Sequence, residues 1–185
     1  ITERLAITAR GLDINPARPN IVLLSIGTTG QPGDLAAQVL AQALFGDMTR
    51  LIDIDMTRFM HETDLHWLLG APPGYIGHDR TPEFLLQIAQ QPWSVVLLRD
   101  INLSHPKAQE LFAQSIRAGY LTSYQDKKIY LSDTVFVLTM DIDQKEVKHL
   151  GFLPHEHTSN DKGDRHDINL KRYLVDEMIN ELDFS

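Results

Sequence analysis

The 185 residues, 43% of them hydrophobic, suffice to bury one core and match the length of a single domain. With 17 basic against 25 acidic side chains, a net charge of −8 and no dense Lys/Arg block, the chain lacks the footprint of a duplex-binding protein. The absence of cysteine removes disulfides, thiolate zinc sites and cysteine nucleophiles together, and no apolar stretch approaches the ~18 residues of a membrane span. Neither nucleic acid nor membrane is therefore expected as a partner, and a cytoplasmic location is. The chain begins at Ile1, inside a helical pattern without signal-peptide character, and reads as an excised piece of something longer.

In chain order, "ITERLAITAR" reads as a short amphipathic helix that Pro16 and Pro19 break. "NIVLLSI" (20–26) is a continuous β-branched and aliphatic run, the pattern of a strand buried on both faces of a parallel sheet. "LIDIDM" (51–56), "WSVVLLR" (93–99) and "TVFVLTM" (134–140) repeat that pattern, and helical segments fall at 34–45, around 57–69, at 82–91 and at 105–118. Strands alternating with helices predict an α/β fold with a mostly parallel sheet. "YLTSYQDKKIYLS" (120–132) alternates and turns at Gln125, Asp126 and Lys127, as a small inserted hairpin does. Residues 151–167 read as a polar loop and 168–182 as a closing amphipathic helix.

"GTTGQPGDLA" (27–36) lies between the first strand and the first long helix, the place of a phosphate-binding loop, G-x-x-x-x-G-K-[ST]. Counted from Gly27, the second glycine falls on Pro32, the lysine on Gly33 and the magnesium-binding hydroxyl on Asp34. Read alone, the stretch is a tight strand-to-helix turn with Asp34 as helix cap. Among the eight histidines, those of "HEH" (155–157) with His166 lack any spacing that would fix metal geometry, and His61 and His66 do not share a helix face. Asp53 and Asp55 point to one side of a strand.

"LLGAPPGYIG" (68–77), followed by "PWSVVLLRDINLSHP" (92–106), "AGYLTS" (118–123) and "TVFVLTMD" (134–141), resembles the second ATPase module of the Clp family of AAA+ protein unfoldases, where the corresponding stretches read G-A-P-P-G-Y-V-G and S-V-V-L-L-D-E-I-E-K-A-H-P. The likeness extends over roughly residues 8 to 152, and in it Asp55 matches a structural D-M that shapes the following turn. It implies one AAA+-like α/β domain over 1–185: the large subdomain alone, with a five-stranded mostly parallel sheet, an inserted hairpin and no lid subdomain. Tyr75, within the loop Gly74, Tyr75, Ile76 and Gly77, is by this resemblance the residue that grips an extended polypeptide client, on an exposed, mobile loop.

The departures from that family fall on one site. The phosphate loop (Gly27, Thr28, Thr29, Gly30, Gly33, Asp34) lacks lysine and hydroxyl, the metal-organising Asp-Glu pair is replaced by Arg99 and Asp100, and the phosphate-sensing asparagine by Asp141. Phosphoryl transfer depends on positioning and charge stabilisation, so these losses imply a pseudo-ATPase with no catalytic residues, no metal and no tightly bound ATP or magnesium. Its expected role is binding and scaffolding in a ring or larger complex, with copies of itself or related AAA+ subunits and a polypeptide client as partners. Two other readings stand beside it: an atypical but active ATP-dependent chaperone in which Arg99 replaces the lysine, and a non-ring adaptor in a secretion or defence complex. If the strand carrying the loop lies between those ending in Arg99 and Asp141, Arg99 pairs with Asp34 or Asp141 and closes the vacated site.

Overall fold

A computed structural model describes residues 18–27 and 31–141. The helices read at 1–10 and 168–182, the loop 151–167 with its histidines, and Thr28, Thr29 and Gly30 lie outside the described residues. In chain order the elements are β1 (Ile21–Gly27), α1 (Gln31–Phe45), β2 (Leu51–Asp55), α2 (His66–Leu69), α3 (Glu83–Gln90), β3 (Val95–Arg99), α4 (Pro106–Ala118), β4 (Tyr120–Thr122), β5 (Lys128–Tyr130) and β6 (Val135–Asp141). Strands β1, β6, β3 and β2, in that spatial order, form one parallel sheet. Among the described residues the sheet thus has four strands where five were expected. The expected neighbours also change, because β6 and not β1 stands beside β3.

Both faces of the sheet are covered, which is why its strands read as unbroken apolar runs. Val95 and Leu97 of β3, with Val135 and Val137 of β6, pack against Ala37, Leu40 and Ala41 of α1. The alternate residues Val96, Leu98, Phe136 and Leu138 face the larger cluster built with Leu85 and Ile88 of α3 and Phe112 of α4. The alanines let α1 lie close to the sheet, and Gly46, at φ 67, ends the helix in the left-handed conformation that costs glycine least. Helix α4 starts with Pro106 at its first turn, His105 accepting from the Lys107 N–H, and stops at Gly119 with φ 77.

The segment expected as one helix over 57–69 is instead two 3-10 turns, Met56–Arg58 and Glu62–Leu65, followed by the short α2. Local side-chain bonds outcompete the continuous helix there. Asp55 accepts from the Thr57 N–H and hydroxyl, Asp64 accepts from the His61 N–H, and the Phe59 carbonyl is taken by the His105 N–H at 2.7 Å. The hairpin forms as expected: β4 and β5 pair antiparallel, Leu121 opposite Ile129, with Asp126 at φ 58 in the turn. Among the described residues no helix is long and apolar enough to cross a membrane.

Candidate functional site

The carboxyl ends of the parallel strands and the first turn of α1 meet at one place, and this is where the fold puts the phosphate-loop positions. Gly27 ends β1 in register with Asp141, which ends β6, and one step earlier Ser25 stands beside Thr139. Gly33, in the first turn of α1, sits against these ends: a β-carbon added there would lie 2.3 Å from Thr139 Cγ2 and 3.1 Å from Ser25 Cβ. Thr139 is buried, and its hydroxyl accepts the Asp100 N–H at 2.9 Å. Asp100 itself is in the left-handed conformation, φ 53 and ψ 47, an uncommon one for a non-glycine residue, and opens the 3-10 turn Ile101–Leu103.

Arg99 points to the α1 face of the sheet, on the same side as Leu97 by the two-residue alternation of a strand. Its Nε donates to Asp53 Oδ1 at 2.8 Å. Of the two expected partners, Asp34 is not paired with it and the Asp141 side chain lies outside what is described; the strand beside β3 on this side is β2, where Asp55 is the register partner of Arg99 and Asp53 lies two residues earlier on the same face. Arg99 and Asp53 remain 36% and 44% exposed, so the pair is a half-solvated one. Its hydrogen bond to Asp53 raises the pKa of the guanidinium, against the opposing effect of burial.

Asp34 is left with a buried Oδ1 that accepts no hydrogen bond among the described residues. Its carboxyl is held above the usual aspartate value, first by burial, with the Arg99 charge acting in the opposite direction and the Asp53 and Asp100 charges adding to the rise. Arg99 therefore acts on Asp34 through space. Asp55 behaves differently: hydrogen bonds from Thr57 lower its pKa, and it caps the turn after β2 as the resemblance implied.

The second group of predicted residues lies between α2 and α3. Gly74 and Gly77 both take positive φ, 89 and 91, and between them Tyr75 is 66% exposed while Ile76 is fully exposed. Exposure agrees with expectation. The loop is also internally bonded, through Tyr75 N–H to the Pro72 carbonyl, His78 N–H to that of Tyr75 and Arg80 N–H to that of Gly77. Its stem is tied to the hairpin, with the Tyr124 N–H on the Leu69 carbonyl and the Gln125 amide on the His78 carbonyl. Sequence reasoning missed Asp53 as the partner of Arg99, the Thr139 hydroxyl and the hairpin's hold on this loop. The strand register carries the first two, and a single sequence does not state it.

Residues 18–184 match the profile of the AAA domain (Cdc48 subfamily). The chain belongs to that family. Among curated proteins this AAA domain is 31% identical over 174 residues to "Negative regulator of genetic competence ClpC/MecB" of Bacillus subtilis, covering 91% of the chain and 22% of that protein. It is 32% identical over 187 residues to the chaperone protein ClpB of Aquifex aeolicus, covering 99% of the chain and 18% of ClpB. The domain thus spans about a fifth of the length of these Clp relatives. A closed-state cryo-electron-microscopy structure of Hsp104 with ATPγS and FITC casein superposes with a TM-score of 0.73 at 22% identity, covering 97% of the chain and 30% of Hsp104. That likeness shows the fold, an AAA+ α/β domain, and the Clp relatives make it a Clp-type module.

Proposed function

We propose that this AAA domain is a catalytically inactive Clp-type module that binds and scaffolds, assembling with copies of itself or with related AAA+ subunits and meeting a polypeptide client through Tyr75 and Ile76. The observation that carries the reading is the packing of Gly33. The position at which a phosphate loop needs lysine has no room for a β-carbon beside Thr139. The adjoining position, where a hydroxyl would hold magnesium, bears the desolvated carboxyl of Asp34. A like charge beside a triphosphate costs about 1 to 4 kcal/mol at contact, depending on the effective dielectric. The residues present do not fit Mg·ATP. Against Arg99 as a substitute for the lysine stands its hydrogen bond to Asp53.

The names of the relatives favour the other reading, an active ATP-dependent chaperone module: ClpB is a chaperone, and the Hsp104 structure carries the nucleotide ATPγS with casein. The reading of inactivity rests on this chain's own residues. The casein in that structure supports a polypeptide client for the Tyr75 loop. Steady-state phosphate release by the full-length protein, with and without casein, separates the two. The inactive module leaves the rate unchanged when Arg99 and Asp100 are both replaced by alanine, whereas an active site here loses turnover in that variant.

A further inference from the structure

Tyr75 does not stand alone on its loop. The half-buried His66 ring of α2 lies between two tyrosines, 6.0 Å from the centroid of Tyr75 at an interplanar angle of 57° and 5.9 Å from that of Tyr124 at 76°. Both separations fall within the range of favourable tilted and edge-on aromatic contacts. Tyr124 belongs to the turn of the β4–β5 hairpin, whose residues also hold the loop's stem: its own N–H bonds to Leu69, and the Lys127 ammonium donates to the Thr81 hydroxyl at 3.1 Å. The ring contacts thus join the exposed Tyr75 to a hairpin that Leu121 anchors in the core. Tyr75 is 66% exposed, on a loop with glycines at positions 74 and 77.

We infer that His66 is a positioning residue for the client contact, holding the Tyr75 ring in a set attitude and coupling it, through Tyr124, to the hairpin. The inference rests on the reading that Tyr75 touches a client. An extended polypeptide meeting this surface would find a Tyr75 ring already ordered by His66 and Tyr124, so less side-chain freedom is lost on binding than with a lone tyrosine. The exposed Tyr75 ring suits client segments with aromatic or aliphatic side chains.

The test measures binding of fluorescein-labelled casein to the full-length protein by anisotropy, with melting temperatures alongside. Tyr75→Ala weakens binding. His66→Ala and Tyr124→Ala each weaken it about two- to tenfold. His66→Phe, which keeps a ring, binds like the parent, and the Tyr75→Ala/His66→Ala double variant binds like Tyr75→Ala alone, because the two residues act as a unit. If Tyr75→Ala weakens binding and His66→Ala does not, the positioning role is overturned and the client contact stands. If Tyr75→Ala binds casein like the parent, both fall. Should His66→Ala melt early, His66→Phe decides: parent-like binding supports the role, and a loss as large as alanine's overturns it.

Discussion

Arg99 and Asp53 tie the carboxyl ends of β3 and β2 together through a 2.8 Å bond from Nε to Oδ1, on the face of the sheet that α1 covers. The pair is more than a third exposed on both sides, so it belongs with the surface ion pairs and not with the buried ones whose rupture costs about 3 to 5 kcal/mol. Arg99→Ala is expected to destabilise by about 1 kcal/mol or less. Urea unfolding of Arg99→Ala, Asp53→Ala and the double variant gives the coupling directly. A loss for Arg99→Ala in the buried-pair range contradicts this account.

Gly33→Ala should be costly. Its β-carbon runs into the buried Thr139 side chain, and overpacking of this kind typically costs about 1 to 3 kcal/mol. Thr139→Ser removes the clashing methyl while keeping the hydroxyl that the Asp100 N–H needs. In the Gly33→Ala background it should therefore restore part of the lost unfolding free energy. A Gly33→Ala protein as stable as the parent would show that the helix start has room to spare.

Asp34 links the site to pH. Its folded pKa is raised, so the proton is held more tightly in the folded state, and the stability that goes with it is complete below the unfolded aspartate value of about 3.9. That stability is lost as pH rises through the folded pKa. Asp34→Asn should accordingly have a higher urea midpoint than the parent at pH 7.5, with the difference shrinking towards pH 4. The opposing influence is the helix N-terminus, which favours a charge in the first turn of α1. A parent more stable than the variant at pH 7.5 would mean that the dipole outweighs burial.

Asp55 has the reverse sign. Hydrogen bonds from Thr57 depress its pKa, so its contribution is present above the unfolded aspartate value and is lost as pH falls through the folded one. Asp55→Ala should cost about 0.5 to 2 kcal/mol at pH 7, as loss of a cap does, and less in acid. Unfolding at pH 7 and pH 4 checks both size and direction. A cost that grows in acid refutes the capping role.

The strands were legible in the sequence because each is an apolar run with sharp polar ends, and "VVLLR" and "VFVLTMD" sit in the two central strands as those runs imply. The hairpin was legible from its alternation. What the chain alone concealed was lateral order. No local signal says that β6 separates β1 from β3, so the partner of Arg99 was sought on the wrong side of the strand. Asp53, which does pair with it, read as one of two carboxylates on one side of a strand. The break in the 57–69 helix turned on side-chain bonds from Asp55 and Asp64 and on a backbone bond from His105, more than forty residues away. Tyr75 was found by motif, whereas His66 and Tyr124, which carry no motif, emerged only when the loop and the hairpin were seen together.

The proposed inactivity requires that the site formed by Gly33, Asp34, Arg99 and Asp100 does not take Mg·ATP. Calorimetric titration of the full-length protein with Mg·ATP, compared with an Arg99→Glu variant that replaces this site's cation with a carboxylate, is the decisive measurement. The two titrations are expected to superimpose, with no heat attributable to this domain up to about millimolar nucleotide, where the binding free energy is only about −4 kcal/mol. A saturating isotherm with a micromolar midpoint that Arg99→Glu abolishes would overturn the inactive reading.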